Sequence, residues 1–259
     1  MKYIALLCVG LFLLLTSCAQ SEVETAEEEN TNEFYELRVY KAEPGKLDDL
    51  NTRFRDHTME IFEKHGMKNI GYWVPIENTD NLLYYVLSYP SREARDASWQ
   101  AFGSDPAWIE AKNASEVDGS LVAGVESLFL KTTDYSPVVT PSVADNPRTF
   151  ELRTYTSTPG NLNNLHTRFR DHTIDLFSKH GMEHFGYWSP VEADQGADNT
   201  LVYFVFHKDV ESRDASFDAF RTDPDWTAAF EASVENAGGS LAENVESILM
   251  KPTDYSPTK

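Results

Sequence analysis

The heptapeptide TRFRDHT occurs at residues 52–58 of this sequence and returns unchanged at residues 167–173. The flanking segments repeat with the same spacing: YELRVY at 35–40 becomes FELRTY at 150–155, and KHGM at 64–67 recurs at 179–182. Self-similarity at one fixed offset indicates a duplicated structural unit. Because the unit is long and occurs only twice, it predicts two tandem domains rather than a solenoid.

Short motifs recur in the same order through the rest of each copy. They are GYW at 71–73 and 186–188, RDAS at 95–98 and 213–216, and TDYSP at 133–137 and 253–257. The segment between the copies carries two prolines among small polar residues, a composition typical of an exposed linker. The sequence therefore predicts one domain at residues 34–137, a linker at 138–148 and a second domain at 149–259.

Each copy has a pattern of strands and helices that specifies its fold class. In the first copy, alternating or aromatic and β-branched runs predict strands at 35–41, 70–76, 82–89 and 125–131. Apolar residues at three- and four-residue steps predict a helix that begins near Leu47 and stops at Gly66, and a second helix that begins at Ser91. The order βαββαβ is the ferredoxin-like unit, an α+β fold with both helices on one face of a four-stranded sheet.

Helices on one face leave the other face of each sheet uncovered, so we expect the two sheets to pack on each other as an intramolecular pseudo-dimeric α+β barrel. Side chains alternate along a strand, and we expect the first strand to turn Tyr35, Leu37 and Val39 toward the helices. The opposite set would then face a polar cavity between the sheets: Glu36, Arg38 and Tyr40, with Glu151, Arg153 and Tyr155 in the second copy. A further oligomer is possible.

The first 33 residues have the pattern of a targeting segment rather than of a folded domain. Lys2 precedes an apolar run from Ile4 to Leu15, and Leu15-Thr16-Ser17-Cys18 resembles a bacterial lipobox. We therefore expect a signal peptide at 1–17, an acylated Cys18 that anchors the chain to a membrane, and an acidic tether at 18–33. The alternative is a plain secretory signal with a chance cysteine.

These features predict a bacterial cell-envelope lipoprotein, on the outer membrane or the cell surface. The acid-rich tether resembles the surface-export signals of Bacteroidota lipoproteins, and it equally fits a linker that is merely soluble.

Composition excludes several classes of function. Forty-two acidic against 22 basic residues give a formal charge of −20, which would repel a nucleic acid. Both cysteines, Cys8 and Cys18, precede the predicted domains, so these should contain neither disulfides nor thiolate metal sites. No nucleotide-binding, serine-hydrolase or zincin motif occurs, and we predict neither a cofactor nor a metal ion.

Several of these residues together resemble the NIPSNAP family of the dimeric α+β barrel superfamily. They are the strand at 35–40, His57 followed by His65-Gly66, the GYW strand, and Arg95 ahead of Asp105-Pro106 and Trp108. The resemblance covers roughly residues 34–135 and 150–256, and it implies the barrel fold. Superfamily relatives include cofactor-free monooxygenases, haem-binding enzymes and dehydratases, so the resemblance implies no particular reaction.

Two histidines in the repeated heptapeptide are the candidate catalytic residues. His57 and its counterpart His172 would act as bases, or as axial haem ligands, if they bordered a polar cavity. The alternative is structural, because His57 shares a helical stripe with Phe54 and Ile61 and would then hydrogen-bond the sheet or a helix end.

The candidate substrate-binding residues are the polar strand residues and an aromatic pair: Glu36, Arg38, Tyr40, Trp73, Glu151, Arg153, Tyr155 and Trp188. Glu36 and Arg38 would either bind a polar ligand or form a buried structural pair that reaches Lys131 and Glu126. The tryptophans would either line a pocket or belong to the core.

Two function classes follow from these alternatives. The protein binds or transforms a small metabolite in the cavity between the sheets, or it is a non-catalytic envelope interaction module with a filled barrel. The copies differ at several of these positions, with Tyr89 replaced by His207 and Trp99 by Phe217, which suggests that one site has diverged.

Overall fold

The computed structural model describes residues 33–146 and 148–259, so the predicted signal peptide and Cys18, with nearly all of the tether, lie outside the described residues. The first repeat consists of β1 (Phe34–Ala42), α1 (Leu47–Arg53), a π-helical segment (Phe54–Thr58), α2 (Met59–Lys64), β2 (Lys68–Pro75), β3 (Leu82–Tyr89), α3 (Arg92–Gly103), α4 (Pro106–Ser115) and β4 (Val122–Thr132).

The second repeat follows the same order. It consists of β5 (Thr149–Ser157), α5 (Leu162–Arg168), a second π-helical segment (Phe169–Thr173), α6 (Ile174–Lys179), β6 (Glu183–Pro190), a 3₁₀ turn (Ala193–Gln195), β7 (Thr200–His207), α7 (Val210–Arg221), α8 (Pro224–Ala237) and β8 (Ala242–Pro252). The predicted α+β fold with two βαββαβ repeats is confirmed.

All strands pair antiparallel, and the two sheets close into one barrel in the order β1-β3-β2-β8-β5-β7-β6-β4. Each repeat contributes four neighbouring strands. The joins between repeats are made by β8 with β2, where Trp73 pairs with Pro252, and by β4 with β6, where Leu130 pairs with Pro190. The duplicated chain thereby forms the predicted pseudo-dimer, because the last strand of each repeat stays beside the first strand of its own sheet and also pairs, at its end, with the sheet of the other repeat.

Apolar side chains from both repeats fill the barrel interior, including Tyr35, Leu37, Phe150 and Leu152. The prediction that Tyr35, Leu37 and Val39 face the helices is therefore wrong, and so is the prediction that the polar set faces a cavity between the sheets. Alternation defines two faces but does not say which one is inside. The apolar set enters the barrel because a carboxylate or guanidinium there would lose its hydration without a partner.

The GYW motif explains how tryptophans fit inside this barrel. Trp73 and Trp188 are fully buried in the interior, and each indole lies over the glycine two residues before it, Gly71 or Gly186. A Cβ at either glycine would overlap the indole ring. The two tryptophans thus belong to the core, the second of the alternatives considered from sequence.

The repeated TDYSP segments are exchanged between the repeats. We call residues 133–137 and 253–257 the exchanged arms. The first arm packs Tyr135 in the helix-side core of the second repeat, and the second arm packs Tyr255 in that of the first. Asp134 accepts two hydrogen bonds from Arg170, of 2.7 and 2.8 Å, and Asp254 accepts the same pair from Arg55. The arms therefore fasten each repeat to the helices of the other.

The linker between the repeats is only partly exposed. Val139 is buried with the barrel core, and the amide of Ala144 donates to the carbonyl of Lys259 at 2.7 Å. The linker is therefore not exposed at every residue, because this segment and the end of the chain hydrogen-bond to each other.

Within residues 33–146 and 148–259, no helix is long and apolar enough to cross a membrane.

Candidate functional site

Glu36 is the centre of a buried ionic network between the outer surface of the barrel and α3. Its carboxylate accepts hydrogen bonds from Arg38 at 2.6 Å and from Arg95 at 2.7 and 3.0 Å. The Tyr89 hydroxyl and the Trp99 indole also donate to it, at 3.0 and 3.1 Å. Burial alone would raise the pKa of Glu36, but the hydrogen bonds from Arg95 and the charge of Arg38 outweigh it and lower that pKa to about 2.

This network corrects part of the sequence-based interpretation. Glu36 and Arg38 do form a buried ion pair, but the additional partner is Arg95 of α3 rather than Lys131 or Glu126 on β4. Strand β4 contributes Ser127, which accepts a hydrogen bond from Arg38 at 2.8 Å. The helix partner could not be foreseen because the polar strand face was assigned to the wrong side of the sheet.

The second repeat builds the same network around Glu151. Arg153 donates to this carboxylate at 2.6 Å, and Arg213 donates at 2.7 and 3.0 Å. Ser247 donates at 2.6 Å, and His207 stands where the first repeat has Tyr89, its Nε2 3.3 Å from the carboxylate. Burial raises the pKa of Glu151, but these donors and positive charges lower it well below its usual range.

The two networks differ in how completely their donors are paired. In the first repeat, Arg38 Nε donates to the Tyr85 hydroxyl at 2.8 Å. In the second, Arg153 Nε and the Tyr203 hydroxyl are buried, and neither has a hydrogen-bond partner among the described residues. An unpartnered buried donor costs free energy, so the second repeat keeps hydrogen-bonding capacity that the first repeat uses internally.

A cavity of about 290 Å³ lies beside Arg153, between the sheet and the helices of the second repeat. It is lined by Arg153, Tyr155, Arg168, Phe169, Thr173, Phe177, Phe217, Phe220, Arg221, Trp226, Phe230, Ser240, Ala242 and Val245. Three of these residues are arginines, seven are Phe, Tyr or Trp, and none of the described lining residues is acidic. The walls of the cavity are therefore mainly aromatic, and the charged side chains that line it are all arginines.

In the first repeat, a larger side chain occupies the position that Phe217 has in the second. Trp99 donates through its indole to the Tyr89 hydroxyl at 2.9 Å, and the Arg38 guanidinium lies 4.2 Å from its ring centroid. Phe217 has no polar atom, and Arg153 is 4.9 Å from its ring. The phenyl ring of Phe217 is smaller than the indole of Trp99, so it leaves room beside Arg153. Ala242, which corresponds to Val122 of the first repeat, adds to this space.

Two arginines of the repeated heptapeptide also differ in their partners. Arg53 is buried and donates to the carboxylate of Glu116 at 2.7 Å. Its counterpart Arg168 is equally buried, but Val234 stands at the position of Glu116. Arg168 donates to Ser233 at 3.3 Å, as Arg53 does to Ser115, but it has no carboxylate partner among the described residues. The Nε atoms of both arginines lack a partner there.

The candidate catalytic histidines lie outside this cavity. His57 and His172 are exposed, each in a groove between its first helix and the last helix of its repeat. Their predicted position on the apolar stripe is wrong, because the π-helical segment inserts an extra residue into the turn and rotates them outward. Their catalytic role stays a prediction, and nothing in this geometry supports it.

The second histidine that recurs in both copies lies beside a helix cap. His65 and His180 contact Asp105 and Asp223 at 2.6 and 2.7 Å, and each aspartate also caps the helix that follows it. Within the described ranges, no group of three or more His, Cys, Asp or Glu is placed to hold a metal ion.

The structure thus brings Arg153 and Tyr155 to the cavity, and it places Trp73 and Trp188 inside the barrel. Sequence reasoning missed Arg168, Trp226 and Phe230 as wall residues. A signal for them was present in the differences between the copies, because Phe217, Phe230 and Val234 replace Trp99, Lys112 and Glu116.

Comparison with known proteins identifies related chains over both repeats. The NIPSNAP family model matches residues 35–137 and 150–257. Protein NipSnap homolog 3B of Mus musculus is 25% identical over 256 residues, which covers 95% of this chain and 94% of the mouse protein.

Solved structures share the whole barrel. A putative monooxygenase from Fusobacterium nucleatum superposes with a TM-score of 0.55 at 9% identity, covering 86% of this chain and 93% of its own. An anthrone oxidase-like protein superposes with a TM-score of 0.54 at 11% identity, covering 86% of this chain and 92% of its own. At such identities the likeness establishes the fold alone.

Proposed function

This chain belongs to the NIPSNAP family, and from that premise we propose that it binds a small molecule in the cavity of its second repeat. The observation that carries the proposal is the cavity itself, whose aromatic walls surround buried, incompletely paired arginines. Ligand sites have this composition, with mostly apolar walls and a few convergent polar groups. The location differs from the cavity between the sheets that the sequence suggested.

The lining residues favour binding over catalysis. None of the described residues that line the cavity is a histidine, an acid or a cysteine, so they supply no general base at neutral pH. Arginine stays protonated, and the hydroxyl groups present are ordinary ligand contacts. The structural neighbours named as a putative monooxygenase and an anthrone oxidase-like protein make a small aromatic molecule a sensible first probe.

One observation favours the alternative, a non-catalytic interaction module with a filled barrel. The interior is packed with aromatic rings; Trp73, for example, lies 5.1 Å from Phe204 and 5.4 Å from Phe150, centroid to centroid. The ligand-binding proposal is preferred because its cavity lies outside the barrel, under the helices, where the filled interior does not compete with it.

Phe217→Trp is the substitution that tests ligand binding. It gives the second repeat the indole of the first, and we expect it to fill the cavity and to weaken binding of 2-naphthamide, a neutral two-ring probe, by about tenfold or more. Equilibrium dialysis of the full chain measures the change. Trp99→Phe is the matched control, which should leave this affinity unchanged; wild-type binding in Phe217→Trp would contradict the proposal.

We further propose that the protein acts at a bacterial membrane through an acyl chain on Cys18. Support comes from the sequence Leu15-Thr16-Ser17-Cys18 after an apolar run. Such an anchor would hold the barrel at the end of an acidic tether, on the outer membrane or the cell surface.

Cys18→Ala is expected to abolish membrane association, because the acylated side chain is the only anchor that this proposal supplies. Fractionation of cells that express the full chain, with immunoblotting of membrane and soluble fractions, measures it. Cys8→Ala is the matched control and should stay in the membrane fraction. Sedimentation of Cys18→Ala with membranes would show that the lipobox interpretation is wrong.

A further inference from the structure

The second-repeat cavity concentrates positive charge in a protein that is strongly acidic overall. Arg153 and Arg168 are each more than nine-tenths buried and both line the cavity, and Arg221 lies at its exposed margin. The whole chain carries a formal charge of −20. Arg153 pairs with Glu151 at 2.6 Å and Arg221 with Asp218 at 3.2 Å, and neither acid lines the cavity. Arg168 has no carboxylate partner among the described residues, so it is the lining arginine whose charge is left for an anion.

Building on the binding function proposed above, we propose that the ligand is an organic carboxylate with an aromatic body, and that the second repeat alone accepts it. The carboxylate would bind the buried arginines, Arg153 and Arg168. The ring would contact the aromatic walls, namely Phe217, Phe220, Trp226 and Phe230.

The first repeat supports this assignment because its own side chains occupy the places assigned to the ligand. The carboxylate of Glu116 binds Arg53, where the second repeat has Val234 and an Arg168 without a carboxylate partner among the described residues. The indole of Trp99 takes the volume that Phe217 leaves open. One copy therefore carries an internal carboxylate and an internal aromatic group at the positions where the other copy has neither.

The surroundings of Arg168 favour a planar carboxylate. Its guanidinium lies 5.3 Å from the ring centroids of both Trp226 and Phe230, so aromatic rings border it, and no described carboxylate pairs with it as Glu116 pairs with Arg53. Arginine donates in one plane and matches the two oxygens of a carboxylate. Burial lowers the pKa of Arg168, which is consistent with a charge that lacks a nearby counter-ion.

Paired probes of the same shape test the ligand class. We expect the full chain to bind 2-naphthoate at least about tenfold more tightly than the neutral 2-naphthamide, since a buried charge-assisted hydrogen bond is worth that much. Isothermal titration at neutral pH compares the two. Equal affinities would overturn the carboxylate assignment while leaving the small-molecule site intact. If neither probe binds, or if Phe217→Trp leaves the binding of both unchanged, the proposed function itself is overturned.

Val234→Glu tests the internal-carboxylate argument directly. The new carboxylate is expected to pair with Arg168 as Glu116 pairs with Arg53, and to weaken naphthoate binding about tenfold or more while naphthamide binding changes little. Glu116→Val is the matched control in the other repeat and should leave naphthoate affinity within about twofold.

Arg168→Met provides a second route to the same answer. It removes the charge and keeps an apolar side chain of similar length, so naphthoate should lose its advantage over naphthamide. A circular dichroism spectrum and a melting curve establish that each variant is folded. Full naphthoate affinity in a folded Arg168→Met or Val234→Glu protein would overturn the proposal.

Discussion

Residues 34–137 expressed alone should form a homodimer. One repeat contains half of a barrel, an arm, and the helix-side core that receives the arm of the other repeat. In the full chain, Trp73 pairs with Pro252 of β8, and the interior face of each sheet is covered by the other sheet. A single repeat would expose that apolar face to water. A second copy can cover it, since its own arm is identical in sequence to the second arm and its β4 keeps the apolar pattern of β8.

The exchanged arms make this expectation more specific than sheet burial alone. Tyr255 of the second arm packs 5.4 Å from Tyr72 and donates to Asn51 at 2.7 Å, and in the isolated repeat Tyr135 of a partner copy would replace it. Sedimentation equilibrium and light scattering measure the mass in solution. Residues 34–132, which lack the arm, are expected to dimerise more weakly or to aggregate.

Tyr135→Ala in the isolated repeat is the matched point variant, because it removes the aromatic anchor and leaves the sheet edge unchanged. Its dimer should dissociate at higher protein concentration than that of the unaltered repeat. A soluble, folded monomer of residues 34–137 would contradict the claim that one repeat needs a second repeat to cover its sheet.

The duplication made the fold predictable from sequence, but it could not show which face of each strand lies inside the barrel. The βαββαβ order and the pseudo-dimer followed from motifs that recur in register, such as GYW and TDYSP. Period-two alternation is symmetric with respect to the two faces, so Glu36 and Arg38 were assigned to the wrong side. The deciding partner, Arg95, lies 59 residues away from Glu36 in sequence, and local patterns do not reveal such a contact.

The site was only partly predictable for a related reason. Arg153 and Tyr155 were identified by their polarity on a strand, whereas Arg168 belongs to a heptapeptide that is identical in both copies. Its difference from Arg53 arises from distant positions, chiefly Val234 in place of Glu116 and Phe230 in place of Lys112. The π-helical segment was missed as well, because its apolar residues also fit an ordinary helix.

Arg38→Met is expected to cost about 3 kcal/mol of unfolding free energy, since it leaves the fully buried Glu36 carboxylate without its shortest ion-pair contact. For a chain of this size that loss corresponds to a melting temperature lower by roughly 6–12 °C. The loss should fall near the lower end of the range for broken buried pairs, because Arg95 still donates to Glu36.

The double variant Glu36→Gln with Arg38→Met separates a structural pair from a ligand-binding arginine. Removing both charges relieves the stranded carboxylate, and Arg95 is left beside Asp96 at 3.0 Å, near solvent, so the double variant should recover much of the lost stability. Arg38→Met should also leave naphthoate binding unchanged, whereas Arg153→Met, its counterpart at the cavity, should weaken it. A single variant as stable as the wild type would contradict the structural role of Arg38.

The pH dependence of stability provides an independent check on the same carboxylate. The pKa of Glu36 falls from 4.5 to about 2 in the folded protein, so its contribution is fully present above pH 4.5 and is lost as the pH falls through 2. A shift of that size corresponds to about 3 kcal/mol. Urea unfolding between pH 5 and pH 2 should therefore show a shallower acid decline in Glu36→Gln than in the wild type. Parallel declines would show that the arginines do not hold this group ionised, because only a carboxylate whose pKa differs between the folded and unfolded states makes stability depend on pH.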